Sequence, residues 1–413
     1  MVVREKNKNV LISFFGHIFE HFESSIFTFS GVFVASYFFS KQDSWMGQYG
    51  VYIAISSGFI MGPFGALIFS WIGDKFGRKP ALVSAYVIGV IPSLLIPLLP
   101  SYASIGIFSS LILIFCRLVQ GIGSGGAFAG RIVFLAELHP ALRNINLGIL
   151  LSLGFVGALL GTALSSYFMD MPDLSWGWKI PYLLASLMGI VLLLVRKHII
   201  ETPPWEAEGK SDAKIPLISC LKEYPWEMLA ILCFGMALLM PFYLGVSWMG
   251  GYVQQAFGLP ASKILRTLSF LMITAGISVV FFFWIATYIS RFKMLIVGII
   301  IAFLTGVLLF IALKDRDLFY ITILQFVIAI QVGVVCAPIF LYSQDFFPVK
   351  YRYSGFSVPF AIGQALMTGT TPLFAQIITE QTLESAYVTI MIFISGLLLG
   401  ISALIIKRKS HPA

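Results

Sequence analysis

Trp71-Ile72-Gly73-Asp74-Lys75-Phe76-Gly77-Arg78-Lys79-Pro80 sets four charged side chains and two glycines between long apolar runs. Tyr49 to Trp71 upstream and Ala81 to Leu99 downstream each read as one membrane span. A hairpin joining two spans must turn tightly at the water boundary, and the glycines allow it. Asp74 falls at the C-terminal end of the first span, where a carboxylate opposes the helix dipole. It therefore calls for a cationic partner, which Lys75, Arg78 or a neighbouring helix end can supply. Basic residues alone would be an ordinary cytoplasmic loop; the acid, the glycines and the Arg-Lys pair make the stretch more specific.

Composition agrees. Of 413 residues, 58% are hydrophobic and 11% charged, and the mean hydropathy is +0.92. Soluble domains carry about 25% charge, so the chain is an all-α polytopic membrane protein. The net charge of +8 implies no nucleic-acid partner, because membrane proteins gather Lys and Arg in cytoplasmic loops. Cys116, Cys220, Cys233 and Cys336 are scattered, with neither a disulfide framework nor metal spacing. The first apolar run is too long for a signal peptide and reads as a retained helix.

Twelve apolar segments reach the roughly 20 residues that a span needs. They lie near 10–39, 49–72, 80–99, 103–136, 143–168, 178–197, 227–256, 263–289, 292–313, 318–345, 354–379 and 385–406. With both termini inside, 19 of the 27 Lys and Arg fall in cytoplasmic segments, which fixes that orientation. A polar, Pro-rich linker, 198–226, divides an N-terminal six-helix bundle, 1–197, from a C-terminal one, 227–413. A repeat supports the division: Glu137-Leu138-His139-Pro140-Ala141-Leu142-Arg143 after span 4 is echoed by Asp345-Phe346-Phe347-Pro348-Val349-Lys350-Tyr351-Arg352 after span 10. Ser290-Arg291-Phe292-Lys293, after span 8, reads as a worn copy of the opening loop without its acid or glycines. Two six-helix halves around a central cavity are the expected architecture.

The opening stretch resembles the G-D-[RK]-x-G-R-[KR] loop between helices 2 and 3 of the major facilitator superfamily. Four further stretches are similar to its metabolite:H+ symporter family, which includes proline/betaine, citrate, 2-oxoglutarate and shikimate carriers. They are Arg117-Leu118-Val119-Gln120-Gly121 through Gly125-Gly126; Trp176-Gly177-Trp178-Lys179-Ile180-Pro181; Arg196 with Glu201-Thr202-Pro203; and Phe347-Pro348 through Arg352-Tyr353-Ser354-Gly355 with Gly369-Thr370-Thr371-Pro372. The resemblance implies the major facilitator fold and a secondary transporter of a small polar metabolite.

The departures are informative. Where that family's first helix reads G-N-A-x-E-W-[FY]-D, this chain has Gly16-His17-Ile18-Phe19-Glu20-His21-Phe22-Glu23, keeping both acids and adding two histidines. The family's Arg in helix 2 and Glu in helix 4 are replaced by Gly62 and Ala127. Losing a cation and an anion together strands no buried charge, and Arg131 appears one turn further on.

Glu20 and Glu23 lie roughly 15–20 Å into the first span at 1.5 Å per residue. Ionisable groups at that depth mark a pathway or proton site; the alternative is an acid that only fastens helices through an arginine. With His17 and His21 they are the candidate proton-coupling groups. Arg117 and Arg131 project to nearly one face of helix 4. Arg117 is too deep to snorkel and needs an acceptor or an anionic substrate. Arg131 can snorkel to the cytoplasmic side or reach towards Glu20. The two arginines, with Tyr243, Trp248, Gln325 and Gln331, are candidate substrate contacts. Asp74, Arg78, Glu137, Arg143, Asp345 and Arg352 are candidate cytoplasmic gate contacts.

His17, Glu20 and His21 also spell H-x-x-E-H, an inverted zinc-protease signature. The string is short and no further ligand is evident, so chance explains it; no metal, cofactor or enzymatic activity is expected. The sequence therefore reads as a proton-driven symporter working as a monomer in a bacterial inner membrane, with a small molecule, protons and the bilayer as partners. An exporter or antiporter shares the fold. A non-transporting sensor would carry a regulatory tail, and here only Lys407-Arg408-Lys409-Ser410-His411-Pro412-Ala413 follows the last span.

Overall fold

The computed structural model describes residues 2–40, 44–169, 176–208, 211, 213–382 and 384–410. Among them the chain is helical, with no strand. Met1 and 411–413, which belong to the termini that the charge bias places inside, lie outside the described residues, as do 209, 210 and 212 of the linker.

The helices are α1 Val2–Phe38, α2 Ser44–Lys75, α3 Arg78–Leu95, α4 Ile107–Leu138, α5 Arg143–Met169, α6 Lys179–Val195, α7 Pro225–Ala237, α8 Ala261–Ile285, α9 Arg291–Lys314, α10 Leu318–Asp345, α11 Val349–Gly363 and α12 Ile390–Ser410. Ten stretches among the described residues are long and apolar enough to cross a membrane. With α1 and the path continuing α11, the segments number twelve, in the predicted order. Boundaries shift: α1 begins at Val2 rather than near residue 10, and α11 at Val349 rather than 354. Both extensions are polar turns that hydropathy alone does not count as span.

The contacts group into two compact units. One comprises Met1–Pro140, Leu153–Pro216 and Val349–Ser357; the other comprises Ala141–Ser152, Leu217–Pro348 and Val358–Ala413. In the first unit α2 and α4 meet backbone to backbone. A Cβ on Gly121 or Gly125 of α4 would strike the carbonyl of Gly58 or Gly62 of α2, so small residues set this crossing. The turn between α2 and α3 runs through Gly77 at φ 121°, a conformation that side chains oppose. The hairpin's glycine is thus required where the sequence places it.

In the second unit α10 packs against α8 and α9, and α12 against α7 and α9. Asp317 caps α10 by accepting from the N–H groups of Phe319 and Tyr320. The path of α7 continues through Met240–Tyr243, Leu244–Trp248 and Met249–Phe257. Over Leu244–Trp248 the bonds lengthen to an i→i+5 pattern, Met249 N–H reaching Leu244 O. A second such stretch, Gln364–Thr368, follows α11. Single π turns inside helices occur frequently at functional sites.

Candidate functional site

Two buried charge networks are built within the first unit. The deeper one joins α1 to α4. Glu20 accepts from Arg131 Nη2, and Arg131 is fully buried. Of the two states open to Arg131 in the sequence, snorkelling and reaching inward, the structure adopts the second. One turn along α1, Glu23 Oε1 accepts from Arg117 Nη1 at 3.3 Å and from Gln120 Nε2 at 2.5 Å. Gln120 also bonds Arg117, its Oε1 accepting from Nη1 at 2.8 Å, and donates to Ser93 Oγ on α3 at 3.2 Å. Arg117 lies over the ring of Phe27, 4.5 Å from its centroid.

A cavity of about 30 Å³ adjoins both pairs, lined by residues that include Glu20, Glu23, Tyr86, Gln120 and Arg131; such a volume suits a water molecule. The ring of Tyr86 lies 5.7 Å from the Arg131 guanidinium carbon. The buried Tyr86 hydroxyl has no hydrogen-bond partner, and neither has Arg131 Nε. Gly16 leaves room for that hydroxyl, since a Cβ there would approach it to 2.8 Å. Periodicity gave no hint of Tyr86, a lone aromatic in an apolar run.

His17 and His21 stack edge to face at 4.5 Å. His17 is buried, its Nδ1 lacks a partner, and both rings crowd Gly154. Glu20 of the H-x-x-E-H string is engaged by Arg131, and no group of three His, Cys, Asp or Glu among the described residues could hold a metal ion.

The second network surrounds the opening hairpin. Arg78 places all five of its guanidinium N–H groups. Nη1 donates to Gly73 O at 2.6 Å and to Asp74 Oδ1 at 2.8 Å. Nη2 donates to Val349 O at 2.6 Å and to Glu137 Oε1 at 3.1 Å. Nε donates to Glu137 Oε2 at 3.2 Å. Glu137 further accepts from Arg352 Nη1 at 3.0 Å and Thr202 Oγ1 at 2.7 Å. Asp74 accepts from the backbone N–H of Tyr353 at 3.1 Å and of Ser354 at 2.8 Å. Its partners are thus Arg78 and the first turns of α11, one a cation and the other a helix end with partial positive charge, as its position demands. Tyr353 is buried with its hydroxyl donating to Gly126 O at 2.7 Å.

The linker closes this network, a role that composition did not suggest. Glu201 accepts from the N–H groups of Arg78 at 3.0 Å and Lys79 at 3.1 Å, capping α3 from more than a hundred residues away. Partial burial raises the Glu201 carboxyl above its ordinary pKa, while these N–H bonds and Arg78 pull it down.

In the second unit, Arg143 Nη1 donates to Asp345 Oδ1 at 2.6 Å, and Arg291 also donates to Asp345. The six hairpin and loop charges therefore fall into two clusters, Asp74–Arg78–Glu137–Arg352 and Arg143–Asp345, the latter joined by Arg291. Gln325 Nε2 donates to Gly245 O in the π stretch at 2.6 Å. Gln325 also lines a cavity of about 450 Å³ with Lys263, Thr267 and Thr322 among others. Trp248 stacks on Tyr252, centroids 5.2 Å apart. Gln331 instead points to Gly298 O on α9 at 3.4 Å, its Oε1 unpartnered. Tyr243 lies at the end of the short helix Met240–Tyr243.

Among the described residues, ten helices long and apolar enough to cross a membrane, with buried ion pairs between α1 and α4, define a multi-pass membrane protein. A sequence model of the Major Facilitator Superfamily matches residues 14–372, and the chain belongs to that superfamily. It is 27% identical over 387 residues to the shikimate transporter of Escherichia coli, covering 91% of this chain and 88% of that protein. It is 27% identical over 421 residues to the proline/betaine transporter of Salmonella typhimurium, covering 96% and 83%. Among solved structures, the proton:xylose symporter XylE with a bound bromodeoxyglucose superposes with a TM-score of 0.80 at 15% identity, covering 99% of this chain and 96% of that one.

Proposed function

We propose that this transporter moves a small polar metabolite across a bacterial inner membrane by symport with protons, as a single chain with both termini in the cytoplasm. The observation that carries the reading is the pair of carboxylates on α1, Glu20 and Glu23, each bonded to an arginine of α4 and both lining one small cavity. A carboxyl that can exchange a proton for an arginine partner changes the charge of the site by one, which is what coupling requires. His17 and His21 adjoin the Glu20 pair and tune it. Arg117 and Arg131 then offer an anionic cargo group its counter-charge whenever their glutamates are protonated.

Gln325, Trp248 and Tyr243 supply cargo contacts from the C-terminal half. Gln331, which bonds α9, serves mainly to position α10. The clusters at Asp74 and Asp345 act as cytoplasmic gate contacts, since they join loop ends through charge-assisted bonds that can break together. The named cargoes of the two relatives, shikimate and proline or betaine, define the compounds to test first.

The test is uptake of these compounds into proteoliposomes with and without an inward proton gradient. Symport predicts gradient-stimulated uptake and movement of protons with the cargo, lost in the double variant Glu20→Gln/Glu23→Gln. Proton movement opposite to the cargo would make the protein an antiporter. Saturable binding without flux would make it a sensor.

A further inference from the structure

The segment that enters α7 has a face that none of the described residues covers. The linker helix Pro216–Glu223 packs by one side. Cys220 is fully buried, and Tyr224 sets its ring against Phe347 with centroids 6.0 Å apart. At about 100° per residue, Ile218, Leu221 and Lys222 point away from Cys220. Ile218 is 47% exposed and Leu221 53%. Lys214 and Ile215, in the approach to the helix, are exposed as well. The helix stops at Tyr224, which adopts φ −129° and ψ 45° before Pro225 opens α7. This break frees its axis from that of the span. Trp226, also largely exposed, follows at once and begins the outward surface of α7, as tryptophans do where a span leaves the bilayer.

Exposed aliphatic side chains flanked by lysines, continuous with the outward surface of a membrane span, match a helix lying in the membrane interface rather than one in water. We propose that the linker helix Pro216–Glu223 and its approach lie on an anionic lipid surface. Ile215, Ile218 and Leu221 sit at the headgroup–acyl boundary, and Lys214 and Lys222 contact headgroup phosphates. The lysines supply the charge complement, since basic residues next to a span are drawn to anionic leaflets. The chain passes from one compact unit to the other between Pro216 and Leu217. The inference rests on the membrane embedding of the chain alone and does not depend on cargo or coupling ion.

The experiment attaches a fluorophore to Ile218→Cys in the full-length protein. The four native cysteines are buried, so the unsubstituted chain is the labelling blank. The protein is placed in nanodiscs of phosphatidylcholine alone or of phosphatidylcholine with phosphatidylglycerol, and quenched with acrylamide, whose neutrality keeps headgroup charge from biasing access. Quenching should be several-fold weaker in the anionic discs, and Lys214→Gln/Lys222→Gln should return it to the phosphatidylcholine level. Equal quenching in both bilayers, or a difference that survives the double lysine substitution, overturns the proposal.

Discussion

Arg78 grips the Glu137 carboxylate with Nε and Nη2 at 3.2 and 3.1 Å, joining the start of α3 to the end of α4. In the second unit Arg291, at the start of α9, reaches Asp345 at the end of α10. The two pairs occupy matching places in the internal repeat, but not matching environments. Arg78 and Glu137 are buried, whereas the Asp345 side chain is 42% exposed.

This difference predicts unequal costs. Arg78→Ala leaves Asp74 buried without its cation and Glu137 with Arg352 alone, a loss of about 3–5 kcal/mol. Arg78→Lys keeps the charge but cannot fork to Glu137, Asp74 and Val349 together, so its melting temperature should fall between wild type and Arg78→Ala. Arg291→Ala, which opens an exposed pair, should cost about 1 kcal/mol or less. Thermal unfolding of the three variants in one detergent checks the order.

Asp74→Asn removes the charge facing the first turns of α11 while keeping one oxygen as an acceptor for Tyr353 or Ser354. Helix-end electrostatics of this kind amount to about 0.3–1 kcal/mol at exposed sites and up to about 2 when partly buried. Arg78 loses one counter-charge but keeps Glu137, so the variant should insert with a lowered melting temperature, and uptake should fall. Uptake equal to wild type at equal expression would remove Asp74 from the gate.

The partners of Asp74 show how far the sequence could be read. Its position at a helix end demanded a cation, and Arg78, four residues on, was within local reach. Tyr353 and Ser354, some 280 residues away, were quotable as a motif but carried no sign of what they face, because backbone N–H groups leave no trace in composition. The twelve spans were legible because hydropathy is summed over about 20 residues, whereas their first polar turns were not. Glu201 was missed for a related reason: it caps α3 from a distant linker, and local capping patterns cannot report that. The sequence allows Arg131 two fates because the reach of a long side chain depends on what packs beside it.

Glu201 lies outside the spans, and its pH dependence has a definite sign. Burial raises its carboxyl in the folded chain, so folding disfavours the ionised form. The associated stability is fully present below the unfolded pKa and is lost as pH rises through the raised folded value. Wild type should therefore lose melting temperature just above the ordinary glutamate range. Glu201→Gln, which keeps one oxygen as an acceptor for Arg78 or Lys79, should be flatter there. Parallel pH profiles for the two proteins would show that Glu201 does not titrate in this window.

Tyr86 and Gly16 form a compensating pair. Gly16→Ala brings a methyl group to 2.8 Å from the Tyr86 hydroxyl, and crowding of that kind costs about 1–3 kcal/mol. Tyr86→Phe removes a buried hydroxyl with no partner, so its stability should match or exceed wild type. The double variant should be more stable than Gly16→Ala alone, a non-additivity typical of residues in contact. Losses that simply add in thermal unfolding would mean that the alanine is accommodated by a backbone shift instead.

The Glu20–Arg131 pair separates folding from coupling. Glu20→Gln alone leaves Arg131, fully buried, without its counter-charge, and removing one member of a buried pair costs about 3–5 kcal/mol. Adding Arg131→Gln removes the stranded cation, so the double variant should recover most of the lost melting temperature. Proton coupling should not return with it, since glutamine cannot titrate. The two measurements, a double-mutant cycle on thermal unfolding and gradient-driven uptake in proteoliposomes, therefore diverge if Glu20 carries the proton. Stability that recovers together with full gradient-driven uptake would leave the pair a helix fastening and move coupling to Glu23, whose own arginine, Arg117, lies 3.3 Å away. Additive stability losses would mean that the two side chains do not depend on each other, and that Arg131 draws its stability from the ring of Tyr86 beside it.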